Sequence, residues 1–422
     1  MEKSIGTPKR YYHIIALVML IFFVISFITN ILNSIIVDVR ESFNLSLTLT
    51  GLLPFSFFIA YGVMSIPAGF LSEKYSDKKL LSAAFLVMML ASILFVIFPS
   101  YIVFSITLFS LGCSMAVLQV IINPMLRTAG GEEHFAFNSV LAQLVFGLAS
   151  FASPYLYKYL VDDEMLKNDG VASMLRGMVP NDLPWVSLYV AFAFIAFVVL
   201  IVVLVAKYPF SEKNEDERAG DTSSYMSLLK NKWTLLYFAA IFCYVGTEQG
   251  VGNWISEFLL QYHGMDAQTI GANTVSYFWA MLTVGCLLGL VLIKVMDSRK
   301  LLIFATLATL VSLVFALTGS SRISLIAFPL IGFFISVMWS IIFSLALNSV
   351  KNHHGSLSGI LCTGIAGGAL APFIVGWIGE LTNLRMGMFF LVIPLLFILS
   401  VGFWANPLVS NKTISFKKAP SE

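Results

Sequence analysis

Ser76-Asp77-Lys78-Lys79-Leu80-Leu81 opens an apolar run that continues to residue 98, and Asp297-Ser298-Arg299-Lys300-Leu301-Leu302 opens another that continues to 318. Each is a short charged turn between two apolar runs, and the two lie 221 residues apart in a chain of 422. An offset of about half the chain points to an internal repeat of one structural unit. Working outward from both turns, apolar runs fall at 12–37, 51–72, 80–98, 101–126, 135–160, 184–208, 233–262, 270–294, 301–318, 322–349, 356–379 and 384–405. These runs have the ~20-residue size that spans a bilayer rather than the ~10–14 of a core helix. The chain therefore reads as an all-α membrane protein of twelve transmembrane helices in two pseudo-symmetric six-helix halves. The first run is too long for the apolar region of a cleavable signal peptide and no small-residue cleavage site follows it, so it is kept as a helix.

Composition agrees and narrows the function classes. The chain is 58% hydrophobic, contains 37 Phe and has only 11% Asp, Glu, Lys and Arg, against roughly 25% charged residues in a soluble domain. A net charge of +2 provides no basic face of the kind that nucleic acid requires. Cys113, Cys243, Cys286 and Cys362 lie inside apolar runs and far apart, so neither a metal site nor a disulfide framework is indicated. No His-Glu-x-x-His, Walker A or Gly-x-Ser-x-Gly motif is present, and the five His all fall at span ends or in loops, which leaves little for a membrane-embedded enzyme. No cofactor is expected.

Lys and Arg in short loops resist translocation and so set orientation. With the N-terminus inside, 19 of the 25 Lys and Arg are inside and six, Arg40, Lys158, Lys167, Arg176, Arg322 and Arg385, are outside. That asymmetry predicts both termini in the cytoplasm. The charged stretch from Ser211 to Lys232 reads as a solvated linker between the halves. The expected organisation is an N-terminal half at 1–208, a linker at 209–232, a C-terminal half at 233–408 and a cytoplasmic tail at 409–422.

Polar residues deep in an apolar run are costly and mark functional candidates. Asn30 and Asn33 share a face of the first span, and Gln119 and Asn123 share one in the fourth, where Pro124 is expected to bend the helix. The fifth span carries Asn138 and Gln143. The seventh contains Gly246-Thr-Glu-Gln-Gly-Val-Gly-Asn-Trp254, which places Glu248, Gln249, Asn253 and Trp254 among three glycines. A single amide is equally well explained as an interhelical hydrogen bond. Paired amides supply donors and acceptors together, as a hydroxylated solute requires. Trp279 and Trp339 lie well inside their spans, where an indole can stack on the apolar face of a sugar; the rival role for a tryptophan is at the membrane interface. Glu248 is the acid placed farthest from both ends of its span, and an ionisable residue there is a functional candidate by default. The substrate-binding candidates are Asn30, Asn33, Gln119, Gln143, Asn253, Trp254, Trp279 and Trp339, with Glu248 as ion-coupling candidate.

Several of these stretches carry a resemblance. Asn30-Ile-Leu-Asn33, Phe57-Phe58-Ile-Ala-Tyr61-Gly62, Ile66-Pro67-Ala68-Gly69, Asn123-Pro124, Leu141-Ala142-Gln143, Cys243-Tyr244-Val245-Gly246 and Ile342-Phe343-Ser344-Leu345 resemble the bacterial fucose:proton symporter family of the major facilitator superfamily. Its members take up fucose, galactose, glucose or amino sugars. The likeness covers nearly the whole chain apart from the 160–183 loop, the central linker and both tails. It implies alternating access and a monosaccharide site near the midplane between the halves, in a bacterial cytoplasmic membrane. By the same resemblance, the family's cavity asparagine and glutamine match Asn30 and Gln143. By that resemblance a coupling aspartate matches Asn33 and a glutamate matches Gln119, both of which are amides here and cannot exchange a proton near neutral pH.

The expectation is a secondary transporter importing a small hydroxylated solute, foremost a monosaccharide, with H+ or Na+ as coupling ion where coupling exists. An uncoupled sugar facilitator and an exporter of other small amphipathic solutes are the alternatives within transport, and a solute sensor is a third class. The partners expected are the small-molecule substrate and the lipid bilayer, with the protein a monomer. Asp77, Lys78 and Arg299 in the two repeated turns are expected to act as a latch between helix ends, away from the substrate.

Overall fold

The computed structural model describes residues 11–45, 47–161, 170–208, 222–266 and 270–413. Of the expected linker, 209–221 lies outside the described residues, and 222–230 forms a short helix, Thr222–Lys230. Of the expected tail, 414–422 lies outside them. The first half contains α1 (Tyr12–Ser42), α2 (Leu47–Lys74), α3 (Asp77–Ile97), α4 (Tyr101–Gly130), α5 (Phe135–Val161) and α6 (Ser187–Val205). The second contains α7 (Lys232–Gly252), α8 (Ile255–His263), α9 (Ala272–Val295), α10 (Ser298–Thr318), α11 (Ser321–Ile335), α12 (Met338–Leu347), α13 (His354–Thr363), α14 (Gly367–Leu381), α15 (Leu384–Phe389) and α16 (Val392–Trp404). Joined end to end, α7 with α8, α11 with α12, α13 with α14 and α15 with α16 complete the twelve spans that the sequence predicts.

Each interruption has a local cause. The seventh span breaks at Asn253 and Trp254, just after Gly250 and Gly252, residues that weaken a helix because they lose the most backbone freedom on ordering. In the tenth, the Ser336 hydroxyl donates to the carbonyl of Phe333 at 2.8 Å and competes with the helix for it. A 3-10 turn at Gly364–Ala366, flanked by Gly367 and Gly368, joins α13 to α14. In the twelfth, Pro394 has no N–H to offer Phe390, the residue that follows α15. Within α4, by contrast, Pro124 is carried inside a continuous helix.

The repeat seen in the sequence is also present in the packing. A Cβ on Gly112 of α4 would collide with the backbone carbonyl of Phe57 on α2, and a Cβ on Gly332 of α11 would collide with that of Phe278 on α9. The two glycines are 220 residues apart and the two phenylalanines 221. The same helix-on-helix approach, permitted by a missing side chain, therefore recurs in both halves. The first half is further held by an aromatic core at its end opposite the termini. Trp185 is 1% exposed; its ring packs on Phe43, Phe95, Phe104 and Tyr189, and its indole N–H donates to Ser42 Oγ at 3.0 Å. Trp185→Ala is expected to cost about 3–5 kcal/mol and to lower the thermal transition of the purified protein clearly, whereas Trp377→Ala, at an exposed position, leaves it nearly unchanged. Equal transitions for the two variants would show that this cluster does not hold the half together.

The halves meet along two seams, α2 with α13 and α5 with α9. The first and last described residues lie at one face of the bundle, called the terminal face below. Tyr11 N–H bonds to Ala129 O at the end of α4, and Lys412 N–H bonds to Glu133 O just beyond it. At this terminal face the α2–α13 seam is close enough that Gly69 and Gly359 touch backbone to backbone.

Candidate binding cavity

Above the seam the two halves part. Along α2, Ser65, Gly69 and Glu73 face α13, while Phe57, Phe58 and Tyr61, earlier in the same helix, line a cavity. The second half shows the same switch: His353 to Gly359 belong to the seam, and Ile365, Gly368 and Pro372 line the cavity. Its volume is about 520 Å³, within the ~300–1,000 Å³ of small-molecule sites.

Asn30, Gln119 and Gln143 from the first half and Glu248, Asn253, Trp279 and Trp339 from the second all line this space. The fold thus brings together side chains up to 309 residues apart. Asn30 is tied at its nitrogen end to Ser26 and Ser150. Gln119 receives the Tyr61 hydroxyl at 3.4 Å. Asn123 instead turns its amide back on the Gln119 carbonyl at 2.7 Å, so its role is in the helix beside Pro124. Glu248 accepts on both oxygens, from Tyr244 OH at 2.5 Å and from Gln249 Nε2 at 3.2 Å. The carboxylate is therefore held from two sides while its residue remains part of the cavity wall.

Trp254 does not line the cavity: its indole N–H donates to the Pro372 carbonyl at 3.0 Å and its ring lies against Gly376, so it fastens α8 to α14. The side chain of Asn33 lies outside the described residues. Sequence reasoning also missed Tyr61 and Tyr244 as members of the wall. Tyr244 had a usable signal, because it precedes Glu248 by four residues and so shares its helix face.

Asp77, Lys78 and Arg299, the residues of the expected latch, contact helix ends of their own half. Lys78 donates to the Leu204 carbonyl at 2.5 Å and lies over the Tyr208 ring, and Asp77 acts electrostatically on that same phenol. Arg299 pairs with Asp297 at 3.2 Å and reaches the Ala405 carbonyl. These contacts stay within one half. Contacts that cross between halves come from other residues. Arg127, 5% exposed, donates to Asn348 Oδ1 at 2.7 Å, to His354 Nε2 at 2.9 Å and to Glu132 at 2.9 Å. A guanidinium only donates, so His354 accepts at Nε2 and carries its proton on Nδ1. Glu73 faces His353 Nδ1 at 3.3 Å without hydrogen-bond alignment, and His353 holds a left-handed backbone, φ 63°, at the N-cap of α13. Lys412 completes the closure by pairing with Glu133 at 3.4 Å. Among the described residues no three His, Cys, Asp or Glu side chains gather as a metal site.

Comparison with known proteins places this geometry. The model of the Major Facilitator Superfamily matches residues 18–361 and 237–421. The chain is 29% identical over 407 residues to a glucose/galactose transporter of Brucella abortus, covering 95% of this chain and 96% of that one. It is 25% identical over 410 residues to the L-fucose-proton symporter of Escherichia coli, covering 90% of each. Its fold superposes on the crystal structure of the transporter FucP in the outward conformation with a TM-score of 0.80, at 22% identity, over 93% of this chain and 98% of that one. Two six-helix halves around a central cavity, matched by the family model over nearly the whole length, establish that this chain belongs to the Major Facilitator Superfamily.

Proposed function

We propose that the chain imports a monosaccharide by alternating access, with Asn30, Gln119, Gln143, Asn253, Trp279 and Trp339 contacting the sugar and Glu248 coupling its movement to H+ or Na+. The observation that carries this reading is one cavity, between two halves, lined by side-chain amides, two indoles and a carboxylate. Amides offer donors and acceptors for sugar hydroxyls, and flat rings suit the apolar face of a pyranose. The glucose/galactose and fucose transport named for the relatives supports the same substrate class. The terminal face is the cytoplasmic one, since it carries the excess of Lys and Arg, and the membrane is the bacterial cytoplasmic membrane. The halves run from 1 to 208 and from 233 to 408, with the linker and tail as the sequence divides them, and the monomer is the working unit.

The test is uptake into proteoliposomes of a panel of radiolabelled sugars, with pH and sodium gradients imposed separately. Accumulation of one hexose under one gradient is expected; no uptake of any sugar overturns the reading. Asn30→Ala and Gln143→Ala are each expected to weaken sugar binding about tenfold, because a bound hydroxyl loses its partner in a site shielded from water. Unchanged affinity in both variants removes them from the binding site.

A further inference from the structure

The wall around Asn30 is more constrained than a binding amide needs to be. Ser26 and Asn30 are four residues apart on α1, and Phe146 and Ser150 are four apart on α5, so each pair shares a helix face. Ser26 Oγ donates to the Phe146 carbonyl at 2.5 Å and lies 2.7 Å from Ser150 Oγ, which itself bonds to the Phe146 carbonyl at 3.1 Å. Into this cluster Asn30 places its amide nitrogen, 2.9 Å from the Ser26 carbonyl oxygen, 2.9 Å from Ser150 Oγ and 3.3 Å from Ser26 Oγ. A backbone carbonyl can only accept, so the amide atom facing it must be the nitrogen. Turning the amide over would set two oxygens against each other. Both N–H groups of Asn30 are thereby used, one on Ser26 O and one on the serine hydroxyls. The atom left for the cavity is Oδ1.

We infer that Ser26 and Ser150 are positioning residues that fix Asn30 as an acceptor, so that the substrate must present a hydrogen-donating hydroxyl at that point of the cavity. This rests on the proposed sugar site and deepens it. Glu248, facing from the other half, also accepts on both oxygens. A solute that donates to both walls satisfies the cavity, whereas one presenting a carboxylate, phosphate or ether oxygen to Asn30 meets oxygen with oxygen. Gln143, in contrast, makes no side-chain hydrogen bond among the described residues and tolerates either polarity.

The test combines singly fluorinated and deoxy sugars with a double-mutant cycle. Fluorine fills the place of a hydroxyl but cannot donate. In the wild type, one ring position is expected at which fluoro and deoxy analogues lose affinity equally, by about fivefold or more, and that penalty disappears in Asn30→Ala. Ser150→Ala is expected to lower affinity about fivefold in the native background and less than about twofold in Asn30→Ala, because it acts through Asn30. Ser150→Thr, which keeps the hydroxyl, restores affinity. Equal losses from Ser150→Ala in both backgrounds, or a fluoro analogue that binds like the parent at every position, overturns the inference. If the wild type binds no sugar, the proposed function fails, and the lock is then read from the Asn30 side-chain amide by NMR hydrogen exchange. Exchange at least about tenfold faster in Ser150→Ala than in wild type supports the lock; equal rates overturn it.

Discussion

Glu248→Gln is expected to abolish gradient-driven accumulation of sugar while leaving exchange of labelled for unlabelled sugar in place. One proton per sugar crossing a gradient of one pH unit supports accumulation up to ~10-fold, since that unit is worth about 1.4 kcal/mol. The variant should fall to equilibration, a ratio of about one. Position and partners motivate this. The two acids that the fucose symporter family would provide are replaced by Asn33 and Gln119, and Glu248 is the acid that lines the cavity. Gln keeps the shape but removes the exchangeable charge. It also keeps only one acceptor oxygen, so either Tyr244 or Gln249 loses its bond, and sugar affinity should drop severalfold without vanishing. Under a sodium gradient the same collapse is expected if the carboxylate holds sodium through oxygen ligands. Accumulation that survives in Glu248→Gln, or a wild type that never accumulates under either gradient, rejects the coupling role and leaves a facilitator.

The parts of this molecule that could be read from sequence are those whose cause is local. Span length, the position of Glu248 within its run and the shared face of Gln119 and Asn123 depend on residues within a few turns. The repeat was legible because its two turns are near-copies, and the structure adds the matching Gly112 and Gly332 contacts. Arg127 was not legible. In sequence it sits at the end of an apolar run, like any orienting loop charge, yet it is 5% exposed and bonded to Asn348 and His354, more than 200 residues away. The same holds for Glu73 opposite His353. Lys78 and Arg299 occupy the conspicuous repeated turns, and each donates to a carbonyl at a helix end within its own half. Trp254 looked like a cavity residue because its neighbours are, but the break at Asn253 swings it onto Pro372 and Gly376. A helix-face argument fails wherever the helix ends.

The second large effect is expected at the seam, where Gly359→Val should stop transport without unfolding either half. A Cβ on Gly359 would stand 2.5 Å from the carbonyl oxygen of Ser65 and 2.8 Å from Cα of Gly69, both backbone atoms on α2. Backbone cannot rotate aside as a side chain does, so the branched residue must hold the two helices apart. The three atoms nearest that Cβ, with Gly69 N third at 3.1 Å, all belong to α2 of the other half. Overpacking of this kind costs about 3 kcal/mol, and all of it falls on the conformation in which the terminal face is closed, shifting that equilibrium by ~100-fold or more. Alternating access requires both conformations, so uptake should fall by a similar factor. Cys362 reports the opening directly: it lies three residues beyond Gly359, is fully buried and sits within electrostatic reach of Tyr61 across the seam. Alkylation of Cys362, followed peptide by peptide, should be slow in the wild type and fast in Gly359→Val, with Gly359→Ala between them and the thermal transition of all three similar. Slow alkylation of Cys362 together with normal uptake in Gly359→Val would mean that the α2–α13 contact is not a gate.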